Sequence, residues 1–168
     1  MSESTGLKLP IGFRAGAVKA GIKPSGGLDL TVLVSDRDCS ASGTFTTNRV
    51  AAAPVHWDRS ILPSSTIRGV VINSGNANAA TGQQGLDNAR ATAAGAAAVL
   101  GCSKDQILVA STGVIGHQLP MARVEAGLRA ALDVATAEVA SFDLASHAIM
   151  TTDTKPKVVS LQREIGGK

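Results

Sequence analysis

Three short polar stretches hold most of the residues suited to chemistry. Ser111-Thr112-Gly113 follows an apolar run from Ile107 to Ala110. A strand end that opens into a glycine-containing loop can aim a hydroxyl and backbone N–H groups at one point. An oxyanion needs such donors about 3 Å from the developing charge, and Gly113 lets the backbone come close to a ligand. The alternative is an ordinary strand-to-loop turn. A second stretch, Asn73-Ser74-Gly75-Asn76-Ala77-Asn78, continues to Gly82. Asn tolerates unusual backbone angles and bonds its own main chain, so this loop either shapes a polar pocket or is a self-bonded surface turn. In the third, Met150-Thr151-Thr152-Asp153-Thr154-Lys155, three hydroxyls, a carboxylate and an ammonium lie just past a helical pattern. They suit a zwitterionic, amino-acid-like ligand, or else a helix C-terminus whose hydroxyls bond back to the helix.

Other chemistries are poorly served. No GxSxG elbow, GxxxxGK[ST] phosphate loop or GxGxxG after a strand occurs. His56, His117 and His147 have no consistent Ser or Asp partner, and His117, after Gly116, is the one nearest a candidate site. Cys39 and Cys102 stand far apart without a CxxC partner, so neither metal ligation nor a disulfide framework is expected. No cofactor is expected, and a reducing, cytoplasmic setting is the default. The net charge of +3 is spread rather than grouped, and aromatics make up 2% with no Tyr, which argues against nucleic acid and base stacking. No stretch of about 18 apolar residues exists to span a membrane, and MSESTGLKLP has no secretory pattern.

The elements that must position these stretches follow from periodicity. Residues 1–27, rich in Gly with Pro10 and Pro24, suggest an irregular arm that pairs at its edges with a sheet. Leu28, Leu30, Val32 and Val34 alternate as a strand, Asp36 to Ser40 reads as a polar turn, and Gly43 to Asn48 as a second strand of a hairpin. Val55 and Trp57 fall in a short extended or turn-like segment, followed by a buried-type strand, Arg68 to Asn73. Leu86 to Leu100 is an Ala-rich helix with Gly101 at C′. Met121, Val124, Leu128, Leu132, Ala135 and Val139 make one helical stripe opened by Pro120. A further helix spans about Phe142 to Met150, and Lys157 to Gln162 reads as a last strand. This order implies an α/β protein, helices covering a mixed sheet, in one unit over residues 1–168. A last strand so near Lys168 would seek a partner, so the chain has the look of a piece of something larger.

Taken in order, GFRAGAVKAGIKPSGGLDLTVLVSD, GTFTTNRVAAAPV, RGVVINSGNANAATG, VASTGVIGHQLPM and AIMTTDTKPK resemble the glutamate N-acetyltransferase, or ornithine acetyltransferase, family of arginine biosynthesis. The similarity runs from about Gly12 to Lys157. Members of that family cut themselves before a Thr, and this sequence resembles their N-terminal α chain. The resemblance implies mixed sheets packed face to face between helix layers, a fold shared with a separate β chain. It implies a heterotetramer of two α and two β chains, active only when both are present. The new N-terminal Thr of the β chain would be the nucleophile, outside these 168 residues, as would a substrate-binding Lys. N-acetylornithine and glutamate would be the substrates, with acetyl-CoA a donor in bifunctional members only. Thr112 and Gly113 match the family's oxyanion-stabilising pair, and Thr151 matches a substrate-binding Thr. Thr152, Asn73 and Asn76 are further candidates for the substrate pocket. A self-cleaving peptidase and a non-catalytic binding subunit are the alternative functions.

Overall fold

In the computed structural model, which describes residues 9–165, four strands form one mixed sheet in the order β1-β2-β3-β4. β1 (Phe13–Val18), β2 (Leu30–Ala41) and β3 (Ser64–Asn76) are antiparallel in succession, and β4 (Ile107–Val114) joins β3 in parallel. A parallel step needs a crossover, supplied by α2 (Gly82–Leu100). α1 (Ala53–Ile61) lies between β2 and β3 in the chain, and α3 (Met121–Asp133) and α4 (Val139–Ala148) follow β4. The α/β class and the mixed sheet agree with the expectation from sequence.

Alternation along the strands gives the sheet two unlike faces. One presents Leu30, Val32 and Val34 of β2, Val71 of β3, and Ile107 and Val109 of β4, none more than 2% exposed. These pack with Ala89, Ala93, Ala96 and Ala97 of α2 and with Val124, Leu128 and Ala131 of α3. The Ala stripe recurs at three- and four-residue steps, so α2 can settle close to the sheet. Gly101 ends it in the left-handed conformation, φ 67°, as a C′ glycine should. The other face presents Leu33, Val70, Ile72 and Leu108, all only partly buried. α4 lies over its β1–β2 side, and a cavity of about 790 Å³ opens there between Leu33, Ile72, Phe142 and Ile149.

Both sheet edges are occupied over part of their length. Ala15 of β1 exchanges two backbone hydrogen bonds of 3.0 Å with Thr136. On β4, the Trp57 indole N–H donates to the Ile107 carbonyl at 2.9 Å, and the Asp58 carboxylate accepts the Val109 N–H at 2.9 Å. A helix side chain pair thus takes the place of a neighbouring strand. Burial pushes the Asp58 carboxyl up to about 6, against the opposing pull of the Val109 N–H.

Several expectations need correction. Residues 1–27 are not all irregular, because Phe13–Val18 is a full strand of the sheet. Its small residues serve packing: a Cβ on Gly16 would lie 2.0 Å from the Ala131 carbonyl oxygen of α3. The Leu28–Ser35 strand begins at Leu30 and continues through the expected turn to Ala41, and its partners are β1 and β3. Gly43 to Asn48 joins no ladder; instead Arg59 stacks over Phe45 at 5.4 Å and donates to the Thr46 carbonyl at 2.7 Å. The Val55–Trp57 segment is helical, with Pro54 in the first turn of α1. Ala135 and Val139 of the expected stripe lie beyond α3, which ends at Asp133, and Val139 belongs to α4. Lys157 to Gln162 has strand-like composition but pairs with no described strand. Residues 1–8 of the expected arm lie outside the described residues.

Candidate active site

The parallel pairing of β3 with β4 brings two of the three polar stretches together. Asn73 stands opposite Ser111, Ser74 opposite Thr112 and Gly75 opposite Gly113. These stretches, expected as loops, are the ends of strands. By alternation, Ser111 and Asn73 face α2 and α3, while Thr112 and Ser74 face the α4 side. Among the described residues the Thr112 hydroxyl makes no side-chain hydrogen bond. Ile107 and Val109 direct their main-chain groups away from β3, towards α1. Two residues per repeat then put the Gly113 N–H on that same outer side.

Gly113 and Gly75 need to be glycine. Their φ values are +136° and +98°, and a Cβ on Gly113 would lie 2.4 Å from the Gly75 carbonyl carbon. The two main chains touch directly, which holds the end of β4 against β3 without side chains.

The Asn residues work inward. Ser111 Oγ–H donates to Asn73 Oδ1 at 2.6 Å, and Asn73 Nδ2 donates to the Asn76 carbonyl at 2.8 Å. Asn76 Nδ2 donates to the carbonyls of His117 and Gln118 at 3.0 and 3.2 Å, and its Oδ1 accepts the Asn78 N–H at 2.8 Å. Asn78 reaches Gly85 of α2 and accepts from Thr81. Asn73 and Asn76 are 4% and 6% exposed. The structure therefore places both in a closed amide relay that ties β3 to the loop after β4. His117 takes part through its carbonyl alone, and its side chain is exposed.

Thr151 and Thr152 are exposed on the turn after α4. Asp153 pairs with Lys157 at 2.6 Å, not with Lys155. The Lys157 hydrogen bond, then its charge, holds the Asp153 carboxyl below its ordinary range. The turn is tied to β3, because Ser74 Oγ donates to the Ala148 carbonyl. Thr151 is three residues beyond Ala148, about 11 Å of chain at most. Lys23 and Asp29 also belong to this region and were not singled out from sequence. A lone Asp inside the apolar Leu28–Leu30 run was the available signal, and Asp29 is fully buried. No group of three His, Cys, Asp or Glu residues able to hold a metal occurs among the described residues. None of the described helices is long and apolar enough to cross a membrane.

The fold and the strand-end geometry define an α/β chain that presents polar groups at the ends of two parallel strands beside a helix terminus. The model of the ArgJ family matches residues 14–168, and the chain belongs to that family. It is 47% identical over 164 residues to the arginine biosynthesis bifunctional protein ArgJ of Gloeobacter violaceus, covering 97% of this chain and 40% of that protein. For the Mycobacterium leprae protein of the same name the identity is 44% over 162 residues, covering 93% and 40%. The chain thus spans about 40% of the length of these relatives. Among solved structures it resembles the ornithine acetyltransferase of Mycobacterium tuberculosis complexed with ornithine, with TM-score 0.85 and 43% identity over 88% of this chain and 79% of that one. The ArgJ structure from Bacillus halodurans gives TM-score 0.81 and 33% identity, over 86% and 75%.

Proposed function

We propose that this chain is one part of an acetyltransferase of arginine biosynthesis and that it stabilises the oxyanion of acetyl transfer. The observation that carries this reading is the pair Thr112–Gly113 at the end of β4, one with an uncommitted hydroxyl and the other with its N–H on the outer side of the sheet. Family membership and the ornithine bound by the Mycobacterium tuberculosis relative support the substrate class.

In the proposed reaction a Thr hydroxyl on a partner β chain attacks the acetyl carbonyl of N-acetylornithine. The α-amine of that Thr, with a pKa near 8, takes the hydroxyl proton. The carbonyl oxygen becomes an oxyanion and receives the Thr112 hydroxyl and the Gly113 N–H. The C–N bond then breaks, the nitrogen takes a proton and leaves as ornithine, and an acetyl ester remains on the Thr. Glutamate nitrogen attacks the ester, giving N-acetylglutamate and restoring the hydroxyl. Thr151 holds the amino-acid end of the substrate, with Thr152 beside it, while Asn73 and Asn76 hold the strand ends rather than the ligand. The partner comes from the same self-cut precursor, the assembly is an α2β2 heterotetramer, and the setting is cytoplasmic.

Thr112→Ala tests the assignment. In separately matured chains, kcat should fall about a hundredfold to a thousandfold with KM nearly unchanged, because the hydroxyl meets charge only in the transition state. Activity within about threefold of wild type, well under 1 kcal/mol of barrier, would remove Thr112 from the oxyanion site.

A further inference from the structure

The end of α4 meets the sheet at one carbonyl. Ala148 is fully buried and closes the helix, so its C=O is among the last four that lack a partner within the helix. Two side chains supply one. Ser74 Oγ donates from β3, and the Lys23 ammonium donates from the loop between β1 and β2 at 3.4 Å. Lys23 Nζ also donates to the Leu28 carbonyl at 2.8 Å. A cation at a helix C-terminus is favoured by the helix dipole as well.

The loop that carries Lys23 is built for this role. The buried Asp29 carboxylate accepts the N–H groups of Ala20, Ile22 and Lys23 at 2.6, 2.5 and 2.8 Å. The Asp29 carbonyl in turn accepts the Ser74 N–H at 2.9 Å. Lys23 also packs on the glycine pair: a Cβ on Gly75 would lie 2.9 Å from Lys23 Cγ and 3.1 Å from its Cα. Burial lowers the Lys23 pKa, and the Asp29 charge opposes part of that shift. The contacts with the Leu28 and Ala148 carbonyls offset part of the desolvation that burial imposes on the ammonium.

We propose that Lys23 and Ser74 are a positioning pair that pins the C-terminal carbonyl of α4 to the end of β3, and so fixes where Thr151 stands relative to Thr112 and Gly113. The pin is a property of this chain alone. Its kinetic consequence rests on the acetyltransferase reading above. Ser74 lies opposite Thr112 in the ladder, and Thr151 follows Ala148 by three residues. The turn between has no ladder or helix to hold it. Each donor backs up the other on the two lone pairs of one oxygen, so losing both should exceed the product of the single losses.

The test uses the full gene product, matured with its partner chain, as wild type, Lys23→Met, Ser74→Ala and the double variant. Native-state hydrogen exchange is read at the amides of 149–153 and, as internal control, along β3 and β4. Exchange at 149–153 should quicken about tenfold in each single variant, the worth of about one hydrogen bond, with the β3–β4 ladder unchanged. KM for N-acetylornithine should rise about tenfold while kcat stays within about twofold, as lost positioning of a binding group requires. Unchanged exchange at 149–153 overturns the proposal. So does equal acceleration of all amides, or a collapse of kcat at constant KM. If Lys23→Met does not fold, Ser74→Ala, which removes one oxygen, makes the same comparison. Wild type that leaves N-acetylornithine untouched refutes the acetyltransferase reading, and the exchange arm still decides the pin.

Discussion

From Ile107 to Val109 the outer side of β4 is gripped by α1; from Ser111 to Val114 the described residues grip the same strand only from within. The first half gives its outward carbonyl to Trp57 and its outward N–H to Asp58. The second half has direct main-chain contact with Gly75 and leaves Gly113 and Val114 exposed. A free edge is normally covered by side chains or a helix. Here α1 covers one half, and the pair of facing glycines lets the other half hold its place uncovered. The difference shows how a rigid strand can present unpaired donors: order comes from its inner neighbour, so its outer side stays available.

Substitutions in each half can break or sharpen this contrast. Trp57→Ala should have the largest effect. It removes a side chain only 7% exposed together with the Ile107 hydrogen bond, and should cost about 3–5 kcal/mol in denaturant unfolding. A loss below about 1 kcal/mol would mean that α1 does not hold the strand.

Asp58→Asn should have a smaller effect of opposite sign. The amide oxygen can still accept the Val109 N–H, but no charge is buried. The Asp58 carboxyl is raised from 3.8 to about 6 in the folded chain. Below 3.8 it is protonated folded or unfolded and costs nothing; stability is lost as pH rises through about 6, where folding must accommodate the anion. The variant should therefore match wild type near pH 3.5 and gain above pH 6. Solvent screening of this partly exposed group limits the gain to about 1 kcal/mol. Thermal unfolding at the two pH values measures it, and a gain that is equal at both would contradict the burial argument.

His117→Ala should have the smallest effect, within about 0.5 kcal/mol. Its carbonyl, not its ring, receives Asn76. A loss above 1 kcal/mol in the same unfolding assay would show that the outer half does depend on side chains.

The strands with branched apolar runs were legible: Leu30–Val34, Val70–Ile72 and Ile107–Val109 each announce a buried face. β1 was not, because its glycine and alanine residues look like loop composition until the close approach of α3 is known. α1 was masked by its shortness and by Pro54, which marks a helix start as readily as a turn. Gly43 to Asn48 shows the reverse error, since Thr and Phe favour strands only where an edge is there to receive them. At the site, the placement of Thr112 and Gly113 followed from the apolar run before them. The convergence of Ser74 and Lys23 on Ala148 did not, because the partners are 74 and 125 residues apart and no local pattern encodes such a meeting.

Trp57 has one further consequence. It is the single Trp in a sequence without Tyr, so the near-ultraviolet fluorescence of this chain comes almost wholly from one indole. That indole sits under the Lys104 ammonium, 5.4 Å from its ring, and hydrogen-bonds the strand that carries Thr112 and Gly113. Its emission colour therefore reports, without any added label, whether the strand is docked or exposed to water.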